Sequence, residues 1–288
     1  MAPESADTAK VLRYAAFTEE PGGGNPAGVV LDARALSREQ MLDIAHTVGY
    51  SETAFLTRRE DTDEQFDVRY FSPEAEVPFC GHATIAAGVA LADRHGTGTL
   101  VFHASAGPVT VRTQLAPTGI TTASLTSVDP HVEDASDQLL DLVLTALRWP
   151  RSDLEETLPP RVAYAGAHHL ILAAATRARL SALDYEFESL KAVMFVHDLT
   201  TVALIWRERN DLYHARNPFP VGGVYEDPAT GAAAAAFGAY LRSLGLVSPP
   251  QQVTILQGQH MGRPSLLVVD IPPGDGGIAV SGTAVAIT

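Results

Sequence analysis

Two stretches of the chain are built almost wholly of small and apolar residues, and the rest of the pattern arranges itself around them. Residues 83–94 and 232–244 hold mainly Ala and Gly, with polar side chains gathered towards their C-terminal ends. A helix of that composition has no broad polar face, so it is hemmed in on all sides, and its small side chains let strands pack close. Each stretch follows a turn: Pro78-Phe79-Cys80-Gly81-His82 before the first, Asp227-Pro228-Ala229-Thr230-Gly231 before the second. Around the first, the pattern predicts strands at 11–17, 28–31, 53–56, 66–71 and 119–125, and a hairpin of 99–103 with 108–113. A capping box at Ser37-Arg38-Glu39-Gln40 starts a helix whose apolar face is Met41, Ile44, Ala45 and Val48, and Gly49 ends it.

The second half repeats this order. A helix over 137–147 turns Leu139, Leu140, Val143, Leu144 and Leu147 inward, and strands follow at 161–165 and 170–174. A helix over 183–191 takes the place of the capping-box helix, and strands at 201–207 and 212–216 lead to the second small-residue helix. Strands at 252–257, 265–271 and 278–287 close the chain. Repetition in order and pattern predicts a duplicated architecture with the starts of the two central helices facing each other. Val128-Asp129-Pro130 reads as the boundary. Residues 1–127, completed by the C-terminal strand 276–288, form one lobe and 128–275 the other, while residues 1–9 read as a frayed tail.

Composition narrows the function. The chain has 288 residues, enough for two domains, and 34 acidic against 20 basic residues give a net charge of −14. That balance argues against a nucleic-acid or anionic-membrane surface, and no stretch is as long and apolar as a membrane span. Cys80 is the one cysteine, so neither an internal disulfide nor a thiolate zinc cluster is expected. The N-terminal ten residues carry no apolar run or cleavage signature, and a cytoplasmic location is expected.

Candidate chemistry lies at the helix starts and near them. The first turn of a helix exposes N–H groups that its own ladder does not use, and with the dipole they favour a carboxylate. Pro228 stiffens the second turn, Gly231 lets a ligand come close to the backbone, and Asp227 stands beside it as an acid or base. Glu52 stands where a strand begins; pointing outward it is ordinary solvated charge, and pointing inward it is suited to proton transfer. Glu74 and Glu76 read as exposed charge. The glycine run 22–24 lacks the residues of a phosphate loop and reads as a turn. His168 and His169, adjacent on a strand, point to opposite faces, and no metal site is expected from them.

These motifs, taken together, resemble the PhzF family, named for an isomerase of phenazine biosynthesis. The resemblance rests on Gly24-Asn25-Pro26-Ala27, Ser51-Glu52-Thr53-Ala54-Phe55, Pro78-Phe79-Cys80-Gly81-His82-Ala83-Thr84, Glu226-Asp227-Pro228-Ala229-Thr230-Gly231, and Gln257-Gly258 with Met261-Gly262-Arg263-Pro264-Ser265. It implies an α+β fold of the diaminopimelate-epimerase type. Two pseudo-symmetric lobes each wrap a mostly antiparallel sheet or barrel round a central helix, with the active site between them. It implies a cofactor-independent isomerase, often a homodimer, that shuttles a proton within a small carboxylate-bearing cyclic or unsaturated metabolite of secondary metabolism.

Carried onto this chain, the resemblance makes Glu52 the catalytic acid/base, with His82 and Asp227 beside it in catalysis. Asn25, Ser51, Gly81, Thr230, Gly231 and Ala232 become the substrate-binding residues. Ala232 departs from a serine common in the family, and Arg216-Asn217-Pro218-Phe219-Pro220 departs from its arginine, aromatic, proline pattern, which is expected to reshape the second lobe's pocket wall. Two alternatives stand beside this one. An amino-acid racemase or epimerase on the same fold uses a cysteine at each central helix, and here Cys80 faces no cysteine partner because Thr230 stands near the second place. A fold relative that binds a metabolite without turning it over is the other.

Overall fold

The computed structural model describes residues 10–60, 62–116 and 118–288, so the tail expected over residues 1–9 lies outside the described residues. The packing separates into two units. One comprises the described residues within Met1–Gly22, Pro26–Leu125 and Gly282–Thr288; the other comprises Gly23–Asn25 and Thr126–Ser281.

The first unit holds β1 (Leu12–Ala16), β2 (Asn25–Val30, of which Asn25 counts with the second unit), α1 (Arg38–Val48), β3 (Glu52–Arg58), β4 (Gln65–Phe71), β5 (Glu76–Val77), α2 (Gly81–His95), β6 (Thr99–Ala104), β7 (Gly107–Leu115) and most of β8 (Thr121–Thr126). Ser37 caps α1 with the full capping box, and Gly49 ends it in the left-handed conformation, as the sequence predicts. The span 72–78 is more than a turn. Its Glu76 is half-buried and clamped by Arg69, Nη2 to Oε2 2.6 Å and Nε to Oε1 2.7 Å, which corrects the reading of Glu76 as exposed charge.

The second unit holds β9 (His131–Asp134), α3 (Asp137–Leu147), β10 (Arg161–Tyr164), β11 (His168–Ala173), α4 (Arg177–Ser181), α5 (Phe187–Val196), β12 (Thr201–Arg209), β13 (Leu212–Phe219), β14 (Val224–Asp227), α6 (Gly231–Ser243), β15 (Gln251–Gln257), β16 (Ser265–Ile271) and the start of β17 (Ala279–Ala286). Burial of α3 follows its leucine stripe, and Leu139, Leu140, Val143, Leu144 and Leu147 pack into one core with Leu170, Leu172, Val202 and Leu204. Removing such side chains from water contributes about 1.5–3 kcal/mol each. The helix expected at 183–191 starts later, at Phe187. Tyr185 is held outside it by stacking on Tyr225 (ring centroids 4.3 Å apart), with its hydroxyl donating to the Tyr225 carbonyl at 2.5 Å.

Strand pairing shows the duplication more plainly than the sequence does. In the first unit β2 and β3 pair in parallel across α1, β3 and β4 are antiparallel, β4 carries the short antiparallel β5, and β4 and β6 pair in parallel across α2. In the second, β11 and β12 pair in parallel with α5 between them, β12 and β13 are antiparallel, β13 carries β14, and β13 and β15 pair in parallel across α6. The β6–β7 and β15–β16 hairpins follow in the same place.

The central helices repeat down to single residues. Each starts on a glycine and carries a second glycine seven residues on. A Cβ at Gly88 would come 2.8 Å from Val111 of β7, and one at Gly238 would come 2.8 Å from Val269 of β16. Residues 82–92 of α2 and 233–241 of α6 are buried without a break, which is why neither stretch shows a polar stripe. Among the described residues, no helix is long and apolar enough to cross a membrane.

Candidate active site

Two groups of side chains hold the residues singled out from the sequence, one in each unit. In the first unit β3 begins at Glu52, with Ser51 just before it, and α2 begins at Gly81, with His82 in its first turn. His82 is buried, and its Nε2 lies 3.4 Å from Glu52 Oε2 and 3.4 Å from Ser51 Oγ. The Glu52 side chain is 15% exposed, so it is neither in open solvent nor sealed off. Cys80 Sγ lies 3.4 Å from His82 Nδ1 and 3.8 Å from its Nε2. Burial holds the His82 imidazole below its ordinary pKa, and the facing Glu52 carboxylate opposes that shift without overcoming it. The ring is therefore neutral near pH 7, able to donate from one nitrogen and accept at the other.

Cys80 is the N-cap residue of α2 and makes no side-chain cap bond, and the first turn has no acidic residue. The helix's own ladder begins with the Thr84 N–H on the Cys80 carbonyl. An uncapped start of this kind keeps its dipole available to an anion. In the sequence Cys80 stands out as the one cysteine of the chain. The structure adds that one ligand atom each from Glu52, Cys80 and His82 lie within 4.8 Å of one another. A carboxylate, a thiol and an imidazole so placed could hold a divalent ion of the zinc type. Because β3 and α2 are about 30 residues apart, no local spacing showed this.

The second unit builds a tighter network around Asp227. The sequence predicts a polar turn from Asp227, and in the structure Asp227 is the last residue of β14, before the turn. Its Oδ2 accepts from Thr230 Oγ1 at 2.5 Å and its Oδ1 from Asn25 Nδ2 at 2.8 Å. Asn25 also donates to the Ala229 carbonyl at 3.1 Å. Thr230, the N-cap residue of α6, gives its hydroxyl to Asp227 instead of capping the helix, so α6 also starts without a side-chain cap. Gly231 is buried, and Ala232 in the same turn is half-buried.

Gln257, quoted from the sequence only as part of a motif, completes the network. Its Nε2 donates to the Asp227 carbonyl at 2.7 Å and to Thr230 Oγ1 at 3.1 Å, and its Oε1 accepts from the Thr230 N–H at 3.3 Å. Gly258 follows with φ +74°, and a Cβ there would come 2.7 Å from the Pro228 carbonyl and 2.2 Å from that of Arg263. Only glycine fits. Arg263 donates to the carbonyls of Gly24 (2.7 Å) and Gly23 (2.6 Å), which fixes the loop that presents Asn25. Behind the network, Arg216 and Glu226 form a buried pair, Nε to Oε1 2.9 Å and Nη2 to Oε2 2.5 Å.

The two histidines at 168 and 169 take separate roles. His169 is fully buried, with Nδ1 2.8 Å from Thr201 Oγ1, while His168 reaches Asp198 at 3.1 Å.

Similarity to known proteins shows the family. The family model described as phenazine biosynthesis-like protein, PhzC-PhzF, matches residues 14–288. The chain is 29% identical to the uncharacterized isomerase YfhB of Bacillus subtilis, over 97% of this chain and 96% of that one. It is 31% identical to the trans-2,3-dihydro-3-hydroxyanthranilate isomerase of Pseudomonas chlororaphis, over 88% of this chain and 86% of that one. A PhzF-family phenazine biosynthesis protein of Bacillus anthracis, known from its crystal structure, is 26% identical with a TM-score of 0.87 and 96% of each chain covered. A probable proline racemase from Agrobacterium radiobacter, at 11% identity and a TM-score of 0.65 over 96% of this chain and 90% of that one, shares the fold alone. With its two duplicated units, uncapped central helices and isomerase relatives, this chain is an isomerase of the diaminopimelate-epimerase-like fold and belongs to the PhzC-PhzF family.

Proposed function

We propose that the chain is a cofactor-independent isomerase that moves a proton within a small, carboxylate-bearing cyclic or unsaturated metabolite of secondary metabolism. The observation that carries this reading is the Glu52–His82 pair, with a partly exposed carboxylate oxygen 3.4 Å from a buried imidazole nitrogen. Glu52 takes the proton from carbon and returns it at another position. With its proton on Nε2, neutral His82 donates a hydrogen bond to the Glu52 carboxylate and holds it in place as the base. Little water reaches the imidazole, so these interactions are stronger than in bulk solvent.

Asp227, oriented by Asn25 and Thr230, aligns the substrate's amine or hydroxyl or carries a second proton. The uncapped start of α2 at Gly81, and that of α6 at Gly231 with Ala232, are each suited to hold a carboxylate through their amide donors. The Pseudomonas relative supports the substrate class, because the compound in its name is an unsaturated ring with a carboxylate, an amine and a hydroxyl. The racemase reading is weakened at Thr230, where the hydroxyl is committed to Asp227 and no thiol stands.

The test offers trans-2,3-dihydro-3-hydroxyanthranilate, unsaturated prolines and saturated prolines to the protein and follows products by proton NMR. A shifted double bond in a ring compound supports the reading. Loss of chirality at Cα without a shift favours a racemase.

A further inference from the structure

Asn217 stands where the family's usual pattern is broken, and its surroundings give that break a use. On β13, successive side chains point to opposite faces. Arg216 and Pro218 share one face, where Arg216 meets Glu226, the register partner of Pro218. Asn217 is the register partner of Asp227, and two residues before it Ala215 is the partner of Gln257. Directly opposed residues lie on the same side of a sheet, so Asn217, Asp227 and Gln257 share a face. That is the face of the hydrogen-bond network described above. Asn217 is only 2% exposed, and its Oδ1 has no hydrogen-bond partner among the described residues. A buried amide oxygen without a donor is uncommon, because it has given up water and gained nothing. An apolar side chain would sit there at no such cost.

We propose that Asn217 is a specificity-determining substrate contact, whose amide oxygen accepts a hydrogen bond from a hydroxyl or amine on the small carboxylate held beside Asp227. This rests on the proposed function, which places Asp227 in the site. A site built to pair a polar substituent rejects ligands that lack it more strongly than an apolar pocket does. The inference thus narrows the substrate class to carboxylates bearing a hydrogen-bond donor on or next to the ring.

Four stable aromatic acids test this: benzoate, anthranilate, 3-hydroxybenzoate and 3-hydroxyanthranilate. Their affinities are measured by calorimetry for the wild-type chain, Asn217→Leu and Asn217→Ala. The expected result is that wild type prefers one donor-bearing acid over benzoate by about tenfold, roughly the yield of one good hydrogen bond. Both variants lose that preference and keep their benzoate affinity. Comparing anthranilate with 3-hydroxybenzoate shows whether the amine or the hydroxyl is read. Asn217→Leu is also expected to melt no lower than wild type, because it removes an unmatched buried amide. Unchanged ratios in both folded variants overturn the inference and leave the isomerase reading intact. Failure of wild type to bind any of the four acids overturns the proposed substrate class, and this inference with it.

Discussion

Asn25 Nδ2 donates to Asp227 Oδ1 at 2.8 Å, a bond between residues 202 apart in the chain. It ties a loop early in the chain to the carboxylate before the second central helix. Arg263 holds that loop by two of its carbonyls, so the orientation of Asp227 depends on three separate segments. Asn25→Ala removes the donor and leaves a buried carboxylate oxygen to find another. The expected cost is about 1–3 kcal/mol in urea unfolding, together with a fall in turnover larger than any change in KM. Unchanged stability and turnover would mean that Asp227 needs no such support.

The pH dependence of stability is set partly by His169. Burial pushes its imidazole down to about 3, with the neighbouring His168 adding to the effect. The unfolded chain binds a proton there below about pH 6.5, and the folded chain does not until about pH 3. Stability therefore falls as pH drops from 6.5 towards 3, and this residue has no influence above 6.5. The full loss is on the order of 4–5 kcal/mol. His169→Gln should make the stability of the chain less steep in acid, by up to about 1.4 kcal/mol per pH unit. Parallel curves for wild type and variant between pH 6.5 and 4.5 would show that His169 is not the group responsible.

The matched glycines of the central helices should respond alike. Gly88→Ala and Gly238→Ala each put a methyl group 2.8 Å from a valine on a packed strand. Overpacking costs about 1–3 kcal/mol, against a gain of roughly 1 kcal/mol in helix propensity. Both variants are expected to melt below wild type. A raised melting temperature in either would show that its helix can move away from its sheet.

Zinc is expected to inhibit the enzyme. An ion held by Glu52, Cys80 and His82 would occupy the proposed base and its partner together. Cys80→Ser removes the soft ligand and should weaken inhibition by at least about 10-fold, the scale seen even for residues outside the coordination shell. Equal zinc sensitivity in wild type and Cys80→Ser would place the ion elsewhere.

Much of the fold could be read in the sequence because it rests on local patterns. The capping box at Ser37, the leucine stripe of α3 and the unbroken small-residue stretches of α2 and α6 each predict the element that forms. What escaped depends on distant partners. Glu76 reads as exposed until Arg69 is brought beside it, and residues 183–185 read as helix until Tyr185 finds Tyr225. The site divides in the same way. Glu52, His82 and Asp227 stand in recognisable motifs, but the closeness of Cys80 to His82 and the three bonds of Gln257 come from side-chain directions that no spacing encodes. Asn217 was visible only as a departure from a pattern, and its pairing with Asp227 gives that departure a meaning.

Glu52 is proposed to carry the proton. The most direct measurement is deuterium uptake from D₂O into trans-2,3-dihydro-3-hydroxyanthranilate and the unsaturated prolines, with wild type run beside Glu52→Gln. Glutamine keeps the shape of the side chain and removes the base. Uptake at the isomerised carbon is expected for wild type, with a rate lower by about 10²–10⁴-fold in a variant that still folds. Equal uptake by the two proteins would contradict it and move the base to another residue.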